Sequence, residues 1–247
     1  MKKRGFTLAE VLVTLGIIGV VAAVTMPTLT GSTNSKQLQS QFNTAHSILS
    51  QAVYTVAGQK GPGLRKMYTN YSESTGYTNS QEFIDLFYKQ LKTDGTCRYN
   101  TAEIKNYNKS KTGWPNVYID RGSVAPSIRL QNGMCVSVDI VAQQINITVD
   151  INGTKKPNTL GHDIFYFDIN DDNQLNPKHS GAVLSKSEIT EATKDDASGL
   201  PNISGQKGDP CSTGTNQAGN GLGCAYWALV NQNPDNNRKT YWDNLPK

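Results

Sequence analysis

The sequence contains few charged residues, few cysteines and only one long apolar run. Of its 247 residues, 18% are charged and 36% are hydrophobic. This balance excludes a highly charged disordered chain and a protein made only of coiled coil. A membrane protein with several spans is also excluded, because one apolar run supplies at most one span. The length suits one large domain or two small ones.

No set of residues typical of an enzyme is present. Of the three histidines, His46 lies on the polar face of a predicted helix, and His162 and His179 lie in predicted loops. No serine has a nucleophile-elbow context, and no Gly-rich phosphate loop opens a helix after a strand. We therefore expect a protein that is not an enzyme.

The positive charge of the chain is concentrated at its N-terminus. The net charge is +4, but Lys2, Lys3 and Arg4 precede the apolar run. Without them the count of Lys and Arg falls from 24 to 21 against 20 acids, which leaves +1. Strong binding to phosphates needs many cations. We therefore expect no nucleic-acid partner.

Residues 6–26 form the apolar run and carry a single charge, Glu10. A helix of about 20 apolar residues crosses a bilayer, and the cations before it predict a cytoplasmic N-terminus. An acid at membrane depth costs at least about 2.5 kcal/mol when it is unpaired, so Glu10 needs a partner. Gly5 is a small residue that lies before the apolar run. This does not fit an ordinary secretory signal, which is cut after its apolar region.

The segment KRGFTLAEVL, residues 3–12, resembles the leader of type IV pilins and type II secretion pseudopilins. The resemblance implies that a membrane-embedded prepilin peptidase cuts between Gly5 and Phe6, and that Phe6 is then N-methylated. It also implies that Glu10 pairs with the N-terminal amine of a neighbouring subunit during assembly. The sequence departs from the family at Ala9, where Ile or another large apolar residue is more common.

The same resemblance implies a structural subunit of a type IV pilus or a type II secretion pseudopilus. Its partners would be other pilin or pseudopilin subunits, prepilin peptidase and inner-membrane lipid. The chain would cross the inner membrane once, with its head outside the cytoplasm, and join an envelope or surface filament. Because 190 residues follow position 57, the head is large for a major subunit, which favours a minor or specialised one.

Other interpretations of the N-terminus stay open. Residues 21–23 would suit signal peptidase, which would release a soluble protein that starts at Val24. The run could also be a plain signal anchor. In both cases the chain would be a secreted or membrane-anchored binding protein, but the acid at Glu10 would have no explanation. A DNA-uptake pilin is a further alternative.

Apolar residues continue beyond the run at steps of three and four. They are Leu38, Phe42, Ala45, Ile48, Leu49, Ala52, Val53 and Val56. This period predicts one helix over residues 6–57, kinked near Pro27, whose second half is apolar on one side only. The predicted organisation is therefore a leader at 1–5, this helix, and a globular head at 58–247.

The head is predicted to be a short helix followed by an antiparallel sheet. Loops are expected at 58–80 and 93–115, and a helix at 81–92 that Asn79 caps. Alternating or short apolar runs predict strands, which lie at 117–119, 128–130, 136–140, 145–151, 164–169 and 226–230. Residues 170–223 are expected to form a long surface excursion. The predicted fold class is α+β, with the sheet lying across the second half of the helix.

Four cysteines in an exported chain predict two disulfides. We expect Cys97 to pair with Cys135 and Cys211 with Cys224, because each bond then closes a local loop. The second bond would tether the excursion, and residues 219–223 would be its flexible part. No pair has the Cys-x-x-Cys spacing, so a zinc site is not expected.

Oxygen-bearing side chains at Asp168, Asn170 and Asp172 resemble the opening of a calcium loop. The pattern then fails, because Asn173 stands where the turn glycine belongs and His179 where the closing glutamate belongs. We therefore favour an Asx-rich turn over a calcium site and expect no cofactor. Residues 150–153, near Asp163, are interpreted in the same way, as a turn rather than a ligand set.

Overall fold

The computed structural model describes residues 7–69, 71–72, 76–77, 80–98, 104–110, 127–141, 144–177, 211–216 and 219–246. The helices are α1 (Leu8–Lys60), α2 (Leu64–Tyr68), α3 (Ser80–Lys89) and α4 (Cys224–Val230), with a 3₁₀ turn at Trp242–Asn244. The strands are β1 (Tyr71–Ser72), β2 (Gly76–Tyr77), β3 (Thr93–Thr96), β4 (Ile128–Leu130), β5 (Cys135–Val141), β6 (Gln144–Asp150), β7 (Ile164–Ile169) and β8 (Leu175–Pro177).

Helix α1 is exposed over residues 8–21, and its second half packs on the head. It extends three residues past the predicted end and stops where Gly61 adopts a φ of 92°. The buried face begins at Phe42, whose ring centroid lies 4.6 Å from that of Phe165 and 5.4 Å from that of Trp242. The helix is unbroken at Pro27, and the kink there stays a prediction.

The head contains a six-stranded antiparallel sheet in the order β3-β4-β5-β6-β7-β8. Each strand pairs with its neighbour along the chain, and Ile147 of β6 lies opposite Val138 of β5 and Phe167 of β7. The apolar side chains of these strands are buried together with the second half of α1. The α+β prediction is confirmed, as are the strands predicted at 128–130, 136–140, 145–151 and 164–169.

Some predictions between α1 and β4 are wrong. The loop predicted at 58–80 contains α2 and the paired strands β1 and β2, and the loop predicted at 93–115 begins with β3. All four β3 residues are exposed, so this edge strand has no apolar alternation and is held by pairing with β4. The helix at 81–92 is confirmed as α3, although Asn79 and the strand predicted at 117–119 lie outside the described residues.

The strand predicted at 226–230 is wrong, because the chain forms α4 there. Ala225 and Ala228 are buried, whereas Leu229 and Val230 are 39% and 45% exposed. This distribution has the period of a helix rather than the alternation of a strand. The Trp242 indole N–H donates to the Ala228 carbonyl at 3.1 Å and fixes the helix against the core.

The surface excursion predicted at 170–223 is wrong at both of its ends. Its beginning contains β8, and its end is buried around Asn220, while residues 178–210 lie outside the described residues. The Asn220 amide donates to the carbonyls of Ser212 and Thr215 at 2.7 and 2.8 Å. A Cβ added to Gly221 would lie 2.4 Å from Leu160 Cβ. Residues 219–223 are therefore closely packed, not flexible as predicted.

Both predicted disulfide pairings are confirmed. Cys97 bonds to Cys135 with a Cα–Cα distance of 6.1 Å, and Cys211 bonds to Cys224 with a distance of 5.0 Å. The first bond joins the segment after β3 to the start of β5. The second joins the segment before Asn220 to the start of α4, so it attaches the C-terminal region to the core.

Replacing both Cys211 and Cys224 by Ser should loosen the C-terminal region selectively. The bond spans 13 positions, and a loop of that size contributes about 3 kcal/mol in the chain-entropy model. Hydrogen exchange measured by mass spectrometry should rise in residues 211–230 and stay near wild type in the β5–β6 hairpin. Replacing Cys97 and Cys135 by Ser is the control, and it should instead affect β3 and β5. Equal loss of protection everywhere would contradict the prediction.

Candidate functional site

The start of α1 holds the site residue Glu10 in a capping box. Thr7 is the N-cap, and its hydroxyl oxygen accepts from the Glu10 backbone N–H at 3.3 Å. The Glu10 carboxylate accepts from the Thr7 backbone N–H and from the Thr7 hydroxyl, both at 2.8 Å. This arrangement satisfies backbone donors that every helix start leaves unpaired. Gly5 and Phe6 lie outside the described residues.

Thr7 is a partner of Glu10 that the sequence reasoning missed. The signal was present, because Thr-x-x-Glu before an apolar run is a capping-box pattern. The two hydrogen bonds satisfy part of the carboxylate but do not neutralise its charge. The sequence has no Lys or Arg between Arg4 and Lys36, so no cationic side chain is close to Glu10 along this helical segment. The pairing of Glu10 with a cation stays a prediction.

The apolar side chains before and after Glu10, from Leu8 to Val21, are exposed on every side of α1. Leu8 is 80% exposed and Val20 is 67% exposed, and the residues between them show the same pattern. The chain's own head does not cover this surface, which suits packing against other molecules. Among the described residues, no helix is both long and apolar enough to span a membrane. The membrane span at 6–26 stays a prediction.

Of the three calcium candidates, Asp168 lies near the end of β7, and Asn170 and Asp172 lie in the hydrogen-bonded turn between β7 and β8. The Asn170 side-chain oxygen accepts from the backbone N–H groups of Asp172 and Gln174 at 3.1 and 2.8 Å. Asp168 Oδ1 accepts from the Asn176 amide at 3.0 Å. This is the Asx turn that we favoured. Within the described part of the chain, no group of three or more His, Cys, Asp or Glu side chains could hold a metal ion.

The carboxylate of Asp163 organises the turn that follows β6. It is fully buried and accepts from the backbone N–H groups of Asn158 at 2.8 Å and Thr159 at 2.6 Å, and from the Asn152 amide at 3.1 Å. Burial raises the pKa of Asp163 to about 6, although these donors act in the opposite direction. Its oxygens are used within the chain, which agrees with the turn interpretation of 150–153.

Asp163 should make stability depend on pH. Because its pKa is raised in the folded state, its contribution is fully present below about pH 4 and is lost as the pH rises through about 6. Wild type should therefore lose about 2–3 kcal/mol relative to Asp163→Asn between pH 4 and pH 7. Urea unfolding at several pH values measures this difference. Parallel pH profiles for the two proteins would contradict the assignment.

The two described histidines have structural surroundings. His162 is buried with Nε2 3.0 Å from the Tyr107 carbonyl oxygen, and burial lowers its pKa to about 4. His46 is half-buried, with its ring centroid 5.7 Å from that of Phe167, and burial lowers its pKa as well. It was predicted on the polar face of the helix. His179 lies outside the described residues.

Comparisons with known proteins agree with the arrangement at the start of α1. Residues 1–26 match the family model described as a prokaryotic N-terminal methylation motif. The chain is 26% identical over 117 residues to the type IV major pilin protein PilE of Neisseria gonorrhoeae. The match covers 45% of this chain and 63% of that relative, which is less than two thirds of its length. No solved structure matches the chain.

These two likenesses support the resemblance of the chain to the type IV pilin and pseudopilin family. The fold of the pilin-like chain is consistent with this, since a long N-terminal helix packs on an antiparallel sheet. The likenesses point to a structural protein and not to an enzyme.

Proposed function

We propose that the chain is a prepilin that becomes a minor or specialised subunit of a type IV pilus or a type II secretion pseudopilus. Prepilin peptidase cuts between Gly5 and Phe6, and Phe6 is N-methylated. Residues 6–26 anchor the subunit in the inner membrane before assembly, with the head outside the cytoplasm. Glu10 then pairs with the terminal amine of a neighbouring subunit.

The observation that carries this proposal is the division of α1. Residues 8–21 are mostly apolar and all exposed, and one face of the helix is buried in the core of the head from Phe42 onward. A helix that is apolar all round must be covered by lipid or by other protein. A filament subunit needs both properties, because the first half packs with other subunits while the second half carries the head.

The size of the head favours a minor or specialised subunit, since 190 residues follow position 57. The relative is named a major pilin, but the match leaves more than half of this chain outside it. The C-terminal region, which contains α4 and the Cys211–Cys224 bond, packs beside the sheet of the head.

Shearing of intact cells tests the proposal. A pilus subunit should be recovered with sheared surface filaments, whereas a pseudopilus subunit should stay in the envelope fraction. In both cases the head should be cleaved by protease added outside the inner membrane. A secreted binding protein, the main alternative, would instead appear in the soluble fraction whether or not cells are sheared. Recovery only as a soluble protein would contradict the proposal.

A further inference from the structure

A cleft of about 470 Å³ lies at one corner of the sheet, beside the Cys97–Cys135 bond. Arg98, Arg129 and Lys155 contribute cations to its lining, and none of the described residues that line it is acidic. Arg129 Nε lies 2.7 Å from Asp94 Oδ1, in an ion pair that is half exposed and therefore weak. Arg98 and Lys155 make no ion pair within the described part of the chain.

The cleft is built on a fixed backbone. Three segments that are distant in sequence form it, and the Cys97–Cys135 bond joins two of them. The third is the turn at Gly153, where φ is 72° and an added Cβ would lie 2.4 Å from the Gly133 carbonyl oxygen. The cations around the cleft are therefore carried by a preorganised frame, which lowers the cost of binding an anionic partner.

The turn between β7 and β8 presents the opposite charge. Asp171 and Asp172 are exposed, and the Asp171 side chain is 87% exposed. The nearest described cation is Arg65, 3.6 Å from Asp171. The Asn173 side-chain oxygen accepts from the Leu64 backbone N–H at 2.8 Å, which attaches the turn to α2. We call residues 170–174 the acidic turn.

The cleft and the acidic turn lie at diagonally opposite corners of the sheet. The cleft adjoins Cys135, at the start of β5, whereas the acidic turn is next to the end where β5 and β6 meet, since Asn146 pairs with Asp168. Two to three strand spacings and most of a strand length separate the two corners, which corresponds to roughly 23 Å. The cleft of one chain therefore cannot bind its own acidic turn.

We propose that the basic cleft of one copy binds the acidic turn of a second copy of this chain. This inference rests on the proposed filament function. The two surfaces are complementary in charge and different from each other, so the contact is heterologous. A heterologous contact that does not close into a ring produces an open helical series of subunits. It would set the order of neighbouring heads independently of the pairing at Glu10.

Cross-linking in membranes of cells that carry the assembly machinery tests the contact. Thr154→Cys places a thiol at the cleft, and Gln174→Cys places one at the acidic turn. The four native cysteines are all bonded, so a short bismaleimide should react only with the introduced thiols. The full chain with both substitutions should give a ladder of dimers, trimers and larger products. Each single variant should give no ladder. Absence of a ladder from the double variant overturns the proposal.

Charge exchange then tests the chemistry of the contact. Arg98→Glu with Lys155→Glu should lower the yield of the ladder at least about fivefold, and Asp171→Lys with Asp172→Lys should do the same. Combining all four changes should restore most of the yield. Arg238→Glu with Lys239→Glu is the matched control, because both residues are exposed elsewhere on the head. No recovery in the combined variant, or equal loss in the control, overturns the proposal.

The two proposals fail in different ways. A wild-type chain that is recovered in sheared filaments, but whose cysteine variant gives no ladder, overturns the head contact and leaves the filament function intact. A ladder from a chain whose mature N-terminus is not Phe6 supports the head contact and contradicts the filament function.

Discussion

Glu10→Gln should leave the head folded and the leader removed, while recovery in filaments falls at least about tenfold. The carboxylate lies among exposed apolar side chains that must be covered by lipid or protein. In such surroundings an unpaired charge is costly and a nearby cation is strongly attracted. A tenfold effect corresponds to about 1.4 kcal/mol, which is modest for a charge pair in a low-dielectric setting. Quantitative blotting of sheared filaments measures the loss.

The amide at this position should preserve the start of α1, because a Gln oxygen can also accept from the Thr7 backbone N–H in a capping box. The core of the head begins at Phe42, far along the helix, and should not change. Glu82→Gln, on α3, is a matched control that removes the same charge from the head surface. Glu10→Gln filaments at wild-type levels would contradict the charge-pair mechanism even for a true pilin.

Gly5→Leu should block removal of the leader almost completely. The resemblance to prepilins implies that the peptidase requires a small residue before the cut. A retained leader would also leave Phe6 without a free amine, so the cation proposed for Glu10 would be lost and incorporation into filaments should fall. The intact mass of the membrane-bound chain should then include residues 1–5.

Gly16→Leu provides the comparison, because nothing lies within 4 Å of a Cβ built at Gly16. This variant should be processed normally, since the change lies within the apolar helix and away from the cut. Normal removal of the leader from Gly5→Leu would show that the peptidase does not act at this position.

The elements predicted correctly are those in which apolar residues recur at a regular spacing. The apolar steps of three and four after residue 38 define α1, and the alternation in 136–140 and 145–151 defines β5 and β6. The run at 226–230 is short, and short apolar runs do not distinguish a strand from a buried helix. Strand β3 could not be predicted because its four residues are exposed and only its pairing with β4 defines it.

Some features of the candidate sites can be predicted from local sequence, and others depend on the fold. The Thr7–Glu10 capping box is local and could be read from four residues of sequence. The basic cleft could not, because Arg98, Arg129 and Lys155 come together only through the sheet and the Cys97–Cys135 bond. The role of Asp163 depends on the path of a turn that brings two backbone N–H groups to one carboxylate.

The mass of the N-terminal peptide from the membrane fraction tests the central claim most directly. The proposed prepilin processing requires a mature chain that begins at Phe6 and carries one additional methyl group on its terminal amine. A mature chain that begins at Val24, or one that retains Met1 and an uncut Gly5-Phe6 bond, would contradict it.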